Sequence, residues 1–220
     1  MRIRFARRFG RGLGPTLILS SLLATSAARA VEPYASIELG FYFWPAYSNR
    51  NQVEADTSPG GSGSLALGVQ LGEEDWAALG PGVPRLIRER LGARIEVAGA
   101  QRISPIHGVN DKDGQRTADG QTLYATSALA NFWPSWAWGD RWRTYAGGGL
   151  GASWIRALGS DAAVFSVQTG AGVQIDVPAG DWTFGFDIGW RSLWNASVQL
   201  NAGRTDFDAH GAIIGISVRY

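Results

Sequence analysis

One rhythm constrains this chain more than any other feature: apolar residues at every second position, with small or charged residues between them, in eight separate stretches. Such alternation puts the apolar side chains on one face of a β-strand, because successive Cβ atoms point to opposite sides. Between residues 34 and 44, Ala35, Ile37, Leu39, Phe41 and Phe43 alternate with Ser36, Glu38, Gly40 and Tyr42. Comparable runs occupy residues 64–72, 93–102, 122–133, 142–154, 165–176, 182–191 and 211–220. The run at 122–133 is the least regular, because Leu129 breaks the alternation of Tyr124, Ala128, Ala130 and Phe132 against Ser127 and Asn131.

Alternation also suits a soluble β-sandwich, and the character of the two faces separates the alternatives. The outer face of a sandwich meets water and carries Lys, Glu and Thr. Here one face is almost wholly apolar, and residues 31–220 contain a single lysine, Lys112. The opposite face is mostly Gly, Ser, Gln and Arg, which suits the crowded interior of a narrow barrel. An apolar face turned to lipid requires every backbone group to be paired, and a closed barrel does this without edges. The pattern predicts an all-β fold, an eight-stranded antiparallel up-and-down transmembrane β-barrel filling residues 31–220 as one domain. Long polar links at 45–62, 103–121 and 193–207 and short ones at 134–141 and 177–181 suit a barrel with both termini on its inner side. Two links fit that scheme poorly, a short outer one at 156–162 and a long inner one at 73–92. The inner link holds Pro81, Pro84 and then Arg85-Leu86-Ile87-Arg88-Glu89-Arg90, enough for one or two helical turns.

Residues 1–30 read as a cleaved signal peptide. Arg2, Arg4, Arg7, Arg8 and Arg11 form a basic start, Leu13 to Leu23 an apolar core, and Ala28-Arg29-Ala30 a small-residue cleavage site, so maturation at Val31 is expected. The core is too short to span a bilayer as a helix. The leader takes six of the 20 Lys and Arg residues and none of the 19 acids, leaving a mature chain of net charge −5. That charge argues against a nucleic-acid partner, which needs a basic footprint. Cysteine is absent, which excludes thiol nucleophiles, iron–sulfur clusters and cysteine zinc sites.

Ten tryptophans provide an independent check. Trp133, Trp136, Trp138, Trp142 and Trp182, with Tyr220, fall beside the expected inner turns; Trp44, Trp154, Trp190 and Trp194 fall at the expected outer strand ends, and only Trp76 falls elsewhere, in the long inner link. Amphipathic rings at both levels are the girdles of a membrane barrel. The polar face carries Glu38, Arg94, Glu96, Arg102, Arg143, Asp187, Arg191 and Arg219. Buried charges need partners, so these eight are expected to form an ion-pair network that plugs the lumen.

Four stretches in order resemble the eight-stranded outer-membrane barrel proteins of the opacity and OmpA-like surface-antigen type. They are Arg94-Ile95-Glu96-Val97, the glycine-rich run from Arg143 to Gly151, Asp187-Ile188-Gly189-Trp190-Arg191-Ser192-Leu193, and Gly215-Ile216-Ser217-Val218-Arg219-Tyr220. The last is similar to the family's C-terminal assembly signal, with Val218 and Tyr220 in the apolar positions and Tyr where Phe is common. The resemblance covers most of residues 34–220. It implies a monomer of the Gram-negative cell outer membrane, inserted by the barrel-assembly machinery, with membrane lipid and lipopolysaccharide as surroundings and no cofactor. The long inner link at 73–92 departs from the family pattern.

The sequence carries little catalytic chemistry. Gly147, Gly149 and Ala152 match a dinucleotide fingerprint in spacing alone, since β-patterned residues continue through Trp154 where a helix is required. His107 and His210 make no metal spacing. His210, near Asp206 and Asp208 at the outer end of the last strand, is where a lipid A-modifying enzyme would keep a base, yet no His-x-Ser pair occurs in a strand. Asn195-Ala-Ser197 matches a glycosylation acceptor by chance. The expected role is structural or surface-exposed and non-enzymatic, with lipid A modification and a small gated pore as the alternatives.

Overall fold

The structure is a computed structural model that describes residues 31–44, 54–72, 84–110, 120–157, 159–200, 203–205 and 207–220. The expected leader at 1–30, and Trp76, Lys112 and Asp206, lie outside the described residues.

Each alternating run becomes a strand, and eight strands close on themselves. In chain order they are β1 (Val31–Phe43), β3 (Gly60–Leu71), β4 (Leu91–Asn110), β5 (Gln121–Ala137), β6 (Trp142–Ala157), β7 (Ser160–Ala179), β8 (Trp182–Asn195) and β11 (Ala209–Arg219). Sequence neighbours among them pair antiparallel, and β1 pairs with β11 from Tyr34↔Arg219 to Phe43↔His210 to complete the ring. Three short strands lie in the links: β2 (Glu54–Thr57), which pairs with the far end of β4, and β9 (Val198–Leu200) with β10 (Gly203–Thr205), a separate hairpin. One six-residue helix, α1 (Arg85–Arg90), precedes β4 where the long inner link was expected to turn helical. Val31 and Tyr220 lie at one mouth of the barrel, here the terminal end; the other mouth is the loop end.

Several strands outrun their sequence patterns. β4 and β7 each have 20 residues, whereas β1 has 13 and β11 has 11. A bilayer needs about 9–11 residues of tilted strand, so the β4–β7 side projects beyond an apolar belt at the loop end. There the outward face, with Pro105 and His107, no longer needs apolar residues while Ser104 and Ile106 stay buried inside, which is why residues 103–110 looked like loop. The links at 156–162 and 177–181 shrink accordingly. Ala157 pairs with Ser160 and Ala179 with Trp182, with Gly159 and Gly180 between them at φ 72° and 66°. Two-residue hairpins need that positive φ, and glycine adopts it freely.

Pro134 marks one irregularity. The β5–β6 ladder passes from Phe132↔Gly148 to Ser135↔Tyr145 without intervening pairs, as expected where a residue has no N–H to donate.

The outward faces form the apolar belt: Ile37, Leu39, Leu65, Val97, Leu150, Phe186, Ile188 and Ile214 are all exposed. A closed ring with its apolar side outward is the geometry of a membrane-spanning barrel.

Candidate functional site

The lumen divides into two halves of different chemistry. At the terminal end, side chains from seven strands meet in a charged network. Arg191 donates to Glu38 at 3.0 Å and, through its other terminal nitrogen, to the Tyr145 hydroxyl at 3.0 Å. Tyr145 in turn donates to Asp187 at 2.5 Å. Arg94 stands 3.5 Å from Asp187 as an ion pair without a directed hydrogen bond, and donates to Gln174 at 3.3 Å. Nearer the mouth, Asp176 collects Arg219 at 2.7 Å, Arg143 at 3.8 Å and the Gln174 amide at 2.6 Å, while Glu32 stands 3.7 Å from Arg219. The guanidinium of Arg191 lies 4.4 Å from the Trp133 ring centre, and that of Arg94 lies 4.6 Å from the ring of Tyr145. Such stacking stabilises a cation withdrawn from water.

Glycines make room for these large groups. A Cβ at Gly172 or Gly189 would collide with the Tyr145 hydroxyl, and one at Gly170 with Arg191. The glycine spacing in β6 has the same steric meaning: the strand continues to Ala157, so no helix follows Gly147 and Gly149 to hold a pyrophosphate.

All eight charges read from the sequence turn inward, but two have no opposite charge beside them among the described residues. Glu96 accepts from three neutral donors, Tyr34, Asn131 at 2.9 Å and Trp133 at 2.8 Å. Arg102, 2% exposed, donates to Ser127 at 3.0 Å and Gln168 at 3.5 Å and lies 5.0 Å from the Tyr42 ring centre. Hydrogen bonds and a ring face do here what an ion pair does elsewhere. The sequence reading missed Glu32 and Asp176, which alternation places on the same inner face, and it missed the neutral partners altogether.

At the loop end apolar side chains fill much of the lumen, beside Arg102 and the hydrogen-bonded Ser127, Ser153 and Ser166. Tyr42, Leu129, Ile155, Leu193 and Ile213 pack with Trp44, Ile106, Leu123 and Phe207 in one buried cluster. Leu129 therefore keeps its strand's alternation; what fails is the expectation that inward residues are small or polar. Between the halves remains a cavity of ≈ 20 Å³, lined by Glu38, Tyr42, Arg102, Leu129, Arg191 and their neighbours. That holds roughly one water molecule.

The girdle assignment needs two corrections. Trp133 is 0% exposed and Trp44 4%, so both are lumen residues. Position along a strand suggested the interface, but parity decides facing: Trp133 shares a face with Asn131, and Trp44 with Tyr42. The exposed rings are Trp138, Trp142, Trp182 and Tyr220 at the terminal end, and Trp154, Trp190 and Trp194 at the loop end.

On the outer wall, His210 Nδ1 lies 2.9 Å from the Ser192 hydroxyl, directly across the β8–β11 ladder. No spacing within one strand reveals this pair, because register creates it. Its ring is flanked by Trp194 at 5.9 Å and Phe43 at 6.4 Å. Asp208 accepts instead from the Asn195 backbone N–H at 3.1 Å, and among the described residues no acid bonds the other ring nitrogen. His107 contacts Ser58 at the far end of β4. Among the described residues no group of three potential ligands gathers to hold a metal.

No family model and no curated protein matches the chain. Solved structures with a similar course do exist. Neisserial surface protein A is 12% identical, covering 85% of this chain and 95% of its own, at a TM-score of 0.48. A major outer membrane protein from Thermus thermophilus is 12% identical, covering 87% and 100%, at 0.45. Ail, the attachment invasion locus protein of Yersinia pestis, is 13% identical, covering 86% and 99%, at 0.43.

Proposed function

We propose that residues 31–220 form a sealed barrel of the bacterial outer membrane, exported by a leader at 1–30, with a structural, surface-exposed and non-catalytic role. One observation carries this reading: the barrel is inverted relative to a soluble domain, with an exposed apolar belt outside and a filled lumen inside. The ion network and the apolar cluster close the lumen in series, which disfavours the pore. Membrane lipid and lipopolysaccharide are its surroundings. The barrel-assembly machinery inserts it, reading β11 and its terminal Val218 and Tyr220.

The test is reconstitution of residues 31–220 in planar bilayers, with heat-modifiable mobility on gels as the measure of folding. Folded protein with no channel steps above the lipid baseline is the expected result. Regular conductance steps would replace the plug with a pathway, and failure to fold in lipid would replace the membrane barrel with a soluble one.

The Ser192–His210 contact favours a second reading, ester hydrolysis on lipid A. It supplies a nucleophile and a base but no orienting acid. Lipid A mass spectra with and without the gene decide: an acyl chain that is retained without the gene and removed again by wild type but not by Ser192→Ala would establish the enzyme.

A further inference from the structure

The outer wall is apolar over most of its height, but at the loop end of β4, β5 and β6 it turns polar and carries the exposed Arg156. Gln101 lies opposite Thr126, Thr126 opposite Trp154, and Tyr124 opposite Arg156. Two clefts meet over these residues, of ≈ 280 Å³ and ≈ 510 Å³, and both are lined by Tyr124 and Arg156. Arg156 is exposed and makes no hydrogen bond or ion pair among the described residues, although Asp161 stands opposite it on β7. Across the barrel, the loop-end rings of Trp190 and Trp194 accompany Ser192 and His210.

Arg156 follows the exposed girdle residue Trp154 by two positions, roughly 7 Å along the strand. Girdle rings sit at the depth of lipid headgroups, so the guanidinium stands where headgroup phosphates lie. Its planar fork matches a phosphate in two-point contact. Directly below the polar row, Gly99, Ala128 and Ala152 stand side by side across the three strands, leaving a smooth strip of wall. A phosphate-binding cation, a row of hydroxyl and amide groups, and a shallow apolar strip beneath them match the three parts of one ligand.

We propose that this face holds a phosphorylated glycolipid of the outer leaflet, with a phosphate on Arg156, sugar hydroxyls on Gln101, Thr126 and Tyr124, and an acyl chain along Gly99, Ala128 and Ala152. Several uncharged donors beside one cation favour a sugar headgroup over a glycerol one. The inference rests on the outer-membrane reading above.

Native mass spectrometry of the folded barrel in detergent tests it, with bisphosphorylated lipid A, dephosphorylated lipid A and phosphatidylglycerol as probes. The wild type is expected to retain bisphosphorylated lipid A about tenfold better than either other probe, as loss of one charge-assisted contact implies. Arg156→Gln should remove that preference, and Gln101→Leu with Thr126→Val should weaken it about threefold. Arg141→Gln, in the turn at the terminal end, should leave it intact. Equal retention by Arg156→Gln and wild type overturns the inference, as does equal retention of phosphatidylglycerol by the wild type. Heat-modifiable mobility is measured on every sample. A wild type that folds but retains no lipid A overturns this site alone, whereas one that does not fold overturns the membrane reading and the site together.

Discussion

The two halves of the lumen fill the same cylinder by different physics. At the loop end Tyr42, Leu129, Ile155, Leu193 and Ile213 exclude water by volume. Apolar packing is non-directional, so similar shapes substitute for one another at small cost. At the terminal end Glu38, Arg94, Tyr145, Asp187 and Arg191 exclude water by satisfying one another. There direction and charge matter, and removing one member leaves another buried without its partner. A barrel can thus be plugged twice over, with one half tolerant of exchange and the other intolerant. The difference also explains why the charged half looked like a possible pathway in the sequence while the apolar half went unseen.

The largest expected effect lies in the charged half. Asp187→Asn leaves Arg94 without its carboxylate and should destabilise the barrel by about 3–5 kcal/mol, measured by equilibrium unfolding in lipid vesicles. Replacing the pair together, Arg94→Met with Asp187→Leu, should restore most of that loss. If the single change proves as mild as the double one, the network is not a cooperative unit.

In the apolar half, Leu129→Ala removes a fully buried side chain and should cost about 2–5 kcal/mol through lost transfer energy and the cavity left behind. A near-neutral result in the same unfolding assay would mean that the loop end is loosely filled, and conductance should then be measured again.

The wall supplies an external reference. Ile188, 69% exposed and midway along β8, adjoins Asp187 on the opposite face. Ile188→Arg should cost about 2–4 kcal/mol in vesicles, the expected penalty for a cation near the midplane of a membrane barrel. The same change in a soluble barrel would cost almost nothing, so the contrast between inward and outward positions reports the solvent around β8.

The smallest effect is expected from Leu193→Met, a nearly volume-conserving exchange in the loop-end cluster, at less than about 1.5 kcal/mol. A loss larger than that of Asp187→Asn would reverse the ranking of the two halves.

Alternation along the chain sufficed for the strand count, the antiparallel ring and the inward facing of all eight charges, because a two-residue period is a local property of an extended backbone. Parity alone also places Trp44, Leu129 and Trp133 inside, against their hydrophobicity and their places along the strands. Partnership was not legible. Strand register brings Ser192 against His210 and Tyr124 against Arg156. Closure of the ring brings Arg191 on β8 to Glu38 on β1, 153 residues apart. The division of the lumen is likewise a tertiary result: only the stagger of eight strands gathers the apolar cluster at one mouth and all the inward charges but Arg102 toward the other. Which residue faces inward follows from its neighbours in sequence; what it meets there follows from strands that the backbone reaches only after closing the circle.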